Sequence, residues 1–275
     1  MSKNINFLKI SAAGNDFVLI DNRKDLLPKN ISPIAAKLCN RKLSIGADGL
    51  LILENSKTAD FKMRYFNSDG SLAAMCGNGG RSIARFANYL KIVSKKMSFE
   101  TDAGLVKADI LGDEIRLWLF EPKDARLDFT LRVEQREFDV SFINTGVPHT
   151  VVFVNDIEKT DVKELGHMIR FHKEFAPLGT NVNFVQKKDD SSIFVRTYER
   201  GVEDETLACG TGVTASAILS GLRGLVSSPV KCITKGGDTL IVSYRTNSNV
   251  DFVSPVSNVS LQGPAEITFK GEVVI

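Results

Sequence analysis

Two stretches of this chain alternate apolar and polar residues as half-buried strands do: Phe61 to Phe66 and Ile193 to Tyr198. A Gly-bearing loop follows each, Asn67 to Gly70 and Arg200 to Val202. Helical patterns come next, Ser82 to Leu90 and Val213 to Leu219, with Gly221 and Gly224 suited to ending the second. Strands then return at Gly104 to Ile110, Ile115 to Phe120 and Thr239 to Tyr244. A further helix-like stretch covers Ile34 to Cys39, and Glu266 to Ile275 reads as a strand that rejoins the first part of the chain.

That order of elements occurs twice, and short motifs recur with it. Cys76-Gly-Asn-Gly is matched by Cys209-Gly-Thr-Gly, and Thr101-Asp-Ala-Gly104 by Thr234-Lys-Gly-Gly237, both 133 residues later. Arg64-Tyr-Phe-Asn67 is matched by Arg196-Thr-Tyr-Glu199, and Asn15-Asp-Phe-Val18 is weakly echoed at Asn183-Phe-Val185. At 275 residues and about 150 residues per domain, two domains are expected. The expected fold class is α+β: two pseudo-symmetric domains, each a strand barrel or sheet wrapped around a central helix, with the active site in the cleft between them. One half comprises residues 1–120 plus 266–275 and carries the Cys76 loop; the other comprises 121–265 and carries the Cys209 loop. The polar, Pro-bearing Glu121-Pro122-Lys-Asp segment is the expected crossover.

Charge narrows the function. Lysine and arginine total 35 against 33 aspartates and glutamates, a net charge of +2, so no global field draws the chain to nucleic acid or membrane. The basic clusters Lys95-Lys96 and Arg132 to Arg136 read as solvated surface. No apolar run approaches the roughly 18 residues of a spanning helix. Asn4, Asn6 and Lys9 interrupt any signal-peptide core, so a cytoplasmic protein is expected.

The four cysteines contain no Cys-x-x-Cys, and His167 and His172 are not at helical i, i+4 spacing, so no metal site is expected. Cys39 and Cys232 read as small buried hydrophobes. Cys76 and Cys209 differ because each precedes Gly-x-Gly and a helix. A helix N-terminus presents unpaired N–H groups and about half a positive charge. It favours an anion nearby and a thiolate over a thiol. A Walker-type phosphate loop fails, since Met75 stands where its first glycine is needed and the second loop has no basic residue. Two activated thiols, one per half, suit stereoinversion: one removes a proton from a carbon and the other returns one on the opposite face. A thiol hydrolase or transferase using one cysteine with His149, and a non-catalytic amino-acid binding protein, remain as alternatives.

The chain resembles the diaminopimelate epimerase family nearly end to end. The resemblance is carried by Gly14-Asn-Asp-Phe17, Gly46-Ala-Asp-Gly49, Phe66-Asn-Ser-Asp-Gly70, Cys76-Gly-Asn-Gly79 with Arg81, Gly146-Val-Pro-His149, Asn181, Tyr198-Glu-Arg-Gly201 and Ala208-Cys-Gly-Thr-Gly212. It implies a cofactor-independent, usually homodimeric enzyme interconverting LL- and meso-2,6-diaminoheptanedioate on the route to lysine and cell wall. It implies Cys76 and Cys209 as the acid/base pair, with His149 and Glu199 tuning the thiols and orienting the substrate. Gly77, Asn78, Gly210 and Thr211 would cradle the reacting amino acid. Asn15, Asn67, Asn181, Glu199 and Arg200 would read its substituents and distal end.

Three departures bear on selectivity. Ser11-Ala-Ala-Gly14 stands where the family often has His-Gly-x-Gly, Gly49 matches a glutamine of some members, and Val147 matches an asparagine. The last two remove hydrogen-bonding side chains, so a looser site accepting a shorter amino diacid such as glutamate is a further expectation, as is a racemase of another amino acid.

Overall fold

A computed structural model describes residues 3–247 and 253–275. The chain divides into two compact units, Met1–Trp118 with Gln262–Ile275, and Leu119–Leu261. The divisions fall at 118 and 262, not at 120 and 266, because one strand, Val256–Pro264, carries the chain from the second unit into the first.

In the first unit, β1 (Asn4–Ala12) pairs antiparallel with β2 (Asn15–Asp21) on one side and with the C-terminal strand Glu266–Val274 on the other. Helix α1 (Ser32–Cys39) then crosses to β3 (Gly49–Glu54), which runs parallel to β2. Antiparallel β4 (Phe61–Asn67) and the short β5 (Leu72–Ala73) follow, and the chain enters α2 (Gly77–Tyr89). It leaves by β6 (Lys96–Thr101), parallel to β4, then β7 (Gly104–Leu111) and β8 (Glu114–Trp118) as an antiparallel meander.

The second unit repeats the plan. A long hairpin, β9 (Lys123–Val133) and β10 (Arg136–Asn144), leads to β11 (Pro148–Phe153). Helix α3 (Val162–Arg170) crosses to β12 (Asn181–Asp189), parallel to β11. Antiparallel β13 (Ser192–Glu199) and short β14 (Asp204–Thr206) lead to α4 (Gly210–Leu222). Then come β15 (Val230–Thr234), parallel to β13, and β16 (Thr239–Thr246), antiparallel to β15. β17 (Val256–Pro264) and β18 (Glu266–Val274) complete the chain.

Each unit encloses one helix, α2 or α4, within its strands. A helix buried on all sides must satisfy its polar side chains locally. In α4, Thr214, Ser216 and Ser220 each donate to the carbonyl four residues back, at 2.7–2.8 Å. Ser82 does the same to Asn78 in α2 at 2.9 Å. Both helices end alike: Leu225 N–H reaches Ser220 O and Gly224 N–H reaches Gly221 O, as Ile92 reaches Ala87 and Lys91 reaches Asn88. Gly224 supplies the left-handed residue of one cap (φ 71°), and Lys91 that of the other (φ 57°). The expected echo of Asn15–Val18 at Asn183–Val185 is corrected by the sheet order: β2 corresponds to β11, whereas Asn183 lies on β12, the counterpart of β3. Among the described residues, no helix is long and apolar enough to cross a membrane.

Candidate active site

Both helices begin earlier than their periodicity predicts. The glycines expected as loops form the first helical turn, and Cys76 and Cys209 are themselves the N-cap residues in extended conformation (φ −141°, ψ 129° and φ −121°, ψ 111°). Glycine lowers helix propensity, which hid these turns, but burial of the helix outweighs it. Neither cap side chain makes a capping hydrogen bond, and the first-turn N–H groups of a helix have no partner within the helix. Gly77 and Gly210 occupy the first helical position.

In the first unit, Asn78 is tied into a chain of side chains. Its Nδ2 donates to Asn15 Oδ1 at 2.7 Å, and its Oδ1 accepts from Arg81 Nη2 at 2.7 Å. Asn15 Nδ2 donates to Asp48 Oδ2 at 2.9 Å. Arg41 Nη2 in turn joins Asp48 (2.7 Å) and Asp16 (2.6 Å), and buried Lys9 reaches Asp16 at 2.8 Å and the carbonyl of Gly46. Burial alone would raise the Asp16 carboxyl, but the hydrogen bonds and charges of Arg41 and Lys9 outweigh it and hold it at about 2. Asn67, at the end of β4, pairs with Gly49 and donates to Ser71 Oγ at 3.0 Å.

The Gly49 position is not an opening. A Cβ there would lie 2.5 Å from the Tyr65 ring and 2.7 Å from the Phe66 carbonyl oxygen. The absence of a side chain at 49 is thus matched by the phenol ring that covers it.

In the second unit, Cys209 Sγ lies 3.4 Å from Thr211 Oγ1, and the Thr211 carbonyl accepts from Thr145 Oγ1 at 3.3 Å. Glu199 Oε2 accepts from Thr206 Oγ1 at 3.0 Å. Asn181 uses its amide on backbone, donating to Pro148 O (3.0 Å) and accepting from Arg200 N–H (2.9 Å). It thereby fixes the loop that carries Arg200, whose Nη1 donates to Leu178 O at 3.2 Å. His149 is fully buried and holds Asn183 Nδ2 at 3.1 Å from its Nδ1. Burial, with the Arg200 charge adding to it, lowers the imidazole to about 3, so it is neutral at pH 7.

Cys39 and Cys232 sit in the cores of their units; burial raises the Cys39 thiol to about 12 and the Cys232 thiol further still. Among the described residues no cluster of His, Cys, Asp and Glu is arranged to hold a metal ion.

Residues 7–119 and 141–258 match the family described as diaminopimelate epimerase. The chain is 46% identical to the diaminopimelate epimerase of Aquifex aeolicus, with 96% of each chain covered. The chain belongs to the diaminopimelate epimerase family. A second diaminopimelate epimerase, from Chlorobaculum tepidum, is 41% identical over 97% of this chain and all of that one. Among solved structures, a PhzF-family phenazine biosynthesis protein from Bacillus anthracis superposes with a TM-score of 0.76 at 16% identity, covering 99% of this chain and 100% of that one. That likeness establishes a shared two-domain α+β fold.

Against the diaminopimelate epimerase motifs, the residues that sequence reasoning missed are supports. Lys9, Arg41 and Asp48 were not singled out, although Asp48 lies inside the quoted Gly46-Ala-Asp-Gly49. Asn183 and Thr197 were missed as well. Asn183 is two residues beyond Asn181, on the same face of a strand, which is the one local signal available.

Proposed function

We propose that this chain interconverts LL- and meso-2,6-diaminoheptanedioate without a cofactor, with Cys76 and Cys209 acting on opposite faces of one α-carbon. The observation that carries the reading is the duplication: each unit sets a cysteine as the N-cap of an enclosed helix whose first turn is Gly-x-Gly. A thiolate in that position is favoured by the helix dipole, and an anion beside it is favoured by the same N–H groups. In the reaction one thiolate takes the α-proton while the opposite thiol donates its own to the other face. The two sulfurs exchange protonation states as the carbon inverts, so the reverse reaction uses them in swapped roles.

Gly77, Asn78, Gly210 and Thr211 bear the α-carboxylate in this reading, because backbone N–H groups at two helix starts stabilise charge that develops there on proton removal. His149 and Glu199 tune the thiols and orient the substrate. Asn15, Asn67, Asn181 and Arg200 read the remaining substituents, with the Arg200 fork suited to the distal carboxylate. The same proposal places the enzyme in the cytoplasm, where thiols stay reduced, and makes it a homodimer.

The test is incubation with LL-diaminopimelate in D2O. Deuterium at one α-carbon together with meso product is expected, and Cys76→Ala and Cys209→Ala should each cut inversion by about 10²–10⁴-fold or more. Inversion surviving in either variant, or product without solvent deuterium, would sink the two-thiol reading. A single-cysteine hydrolase predicts that only one thiol is essential.

A further inference from the structure

The two units use the same three lattice positions differently. In the first, Phe17 pairs with Gly49 across the parallel strands, Leu51 lies two residues on, and Tyr65 is its antiparallel partner. The corresponding residues of the second unit are His149, Asn183 and Thr197. The first trio is two aromatic rings and one aliphatic side chain, with the Tyr65 ring edge-on to Phe17 at 6.0 Å between centroids. The second is a polar chain buried to within 2% of complete: Thr197 Oγ1 to Asn183 Oδ1 at 3.0 Å, then Asn183 Nδ2 to His149 Nδ1 at 3.1 Å. The same strand framework closes in the first unit without amide or imidazole side chains at these positions. The fold therefore does not require them in the second.

The chemistry of this chain fixes a tautomer. Asn183 Nδ2 also lies 3.1 Å from the Thr150 carbonyl oxygen, which can only accept. The amide nitrogen must therefore face that carbonyl, and its second hydrogen is directed at His149 Nδ1. A neutral imidazole that accepts at Nδ1 carries its proton on Nε2. Nε2 is buried, and no group among the described residues hydrogen-bonds it. Buried donors are ordinarily paired, so an unpaired one is kept for something that binds.

We infer that Asn183 is a positioning residue that holds His149 as the Nε2–H tautomer, making it a neutral hydrogen-bond donor to a carboxylate of the bound amino acid and not a base. The clause about the substrate rests on the function proposed above; the tautomer does not. Besides burial, the charge that bears on the ring is the Arg200 guanidinium, which disfavours an imidazolium and suits the same anion. Second-sphere partners of this kind hold a histidine's tautomer and orientation at many reactive sites.

The experiment is two-bond 1H–15N spectroscopy of histidine-labelled protein, with the His149 signals assigned by their loss in His149→Gln. The expected result is the Nε2–H form, without titration between about pH 5 and 9. An Nδ1–H form, or an imidazolium in that range, overturns the inference without touching the proposed reaction.

A second arm uses Asn183→Asp and needs activity on LL-diaminopimelate. A carboxylate accepts from Nδ1–H and raises the imidazole pKa. Above that new pKa the neutral ring would turn its Nε2 lone pair toward the substrate anion, so activity should fall as pH rises, by at least about tenfold. This limb is absent from the wild type. A variant that keeps both the wild-type profile and the Nε2–H signal refutes the assignment. Should Asn183→Asp fail to fold, the wild-type spectrum alone decides. Should the chain prove inactive on diaminopimelate, the spectrum still reads the tautomer, so the two failures are distinguishable.

Discussion

Gly212 has no side chain where Asn183 has its amide: a Cβ on residue 212 would overlap Asn183 Oδ1 and lie 3.3 Å from its Cγ. The second glycine of Cys-Gly-Thr-Gly is therefore a packing requirement set by a residue on β12. Its counterpart Gly79 faces Leu51, where a Cβ would sit at an ordinary 3.4 Å. Gly212→Ala is expected to displace the amide and lower kcat by about 10–100-fold, whereas Gly79→Ala should be the milder change. Steady-state kinetics of the two variants checks the order, and equal losses would contradict it.

A similar fit sits at the far end of α4. A methyl group on Gly221 would overlap the Tyr244 hydroxyl, which donates to the Ala217 carbonyl at 3.4 Å. Gly221→Ala should cost about 1–3 kcal/mol by overpacking. Adding Tyr244→Phe removes the overlapped oxygen, so the pair should lose less than the sum of the single losses. Denaturant melts of the four proteins complete the cycle, and strict additivity would count against the contact.

Lys91 ends α2 in the left-handed region, where an L side chain costs about 1–2 kcal/mol. Lys91→Gly should accordingly raise stability by about 1 kcal/mol with activity unchanged, as read from the denaturation midpoint.

Acid should weaken the first unit through Asp16. Its carboxyl is held at about 2 in the folded chain, against about 3.9 for an unperturbed aspartate. A carboxyl with a depressed folded pKa contributes stability above the unfolded value and loses it as pH falls through the folded one. Between about pH 4 and pH 2 that contribution disappears. Arg41→Met should flatten this part of the stability–pH curve, and an unchanged slope would show that Lys9 alone sets the shift.

Much of the fold was legible because half-buried strands alternate. Phe61 to Phe66 and Ile193 to Tyr198 are β4 and β13 to within a residue at each end. The helix α3 was not read, although Asp161 caps it by accepting from Glu164 N–H at 3.0 Å, an Asp-x-x-Glu signal at its start. Gly166 interrupts its periodicity, and that glycine is demanded by Tyr198, against which a Cβ would collide. The long β9–β10 hairpin also went unread, because its outer face is polar and the strand ends beside its turn carry the cross-strand pair Arg132 and Glu137.

At the site, residue types at repeated spacings singled out the two cysteines before Gly-x-Gly. The supports could not be found that way. Asn183 matters because of Thr150, Thr197 and Gly212, which are scattered along the sequence and meet only when β11, β12, β13 and α4 have packed.

The edge pairing of β1 with β18 has a consequence for biosynthesis. Lys3 and Ile275 exchange backbone hydrogen bonds at 3.0 Å in both directions, so the first unit needs a strand translated after the whole of the second. On a ribosome the later-made unit can finish folding first, while the earlier one waits with an uncovered sheet edge for its closing strand. During that interval the nascent chain is most exposed to aggregation, and chaperone holding would be concentrated on β1.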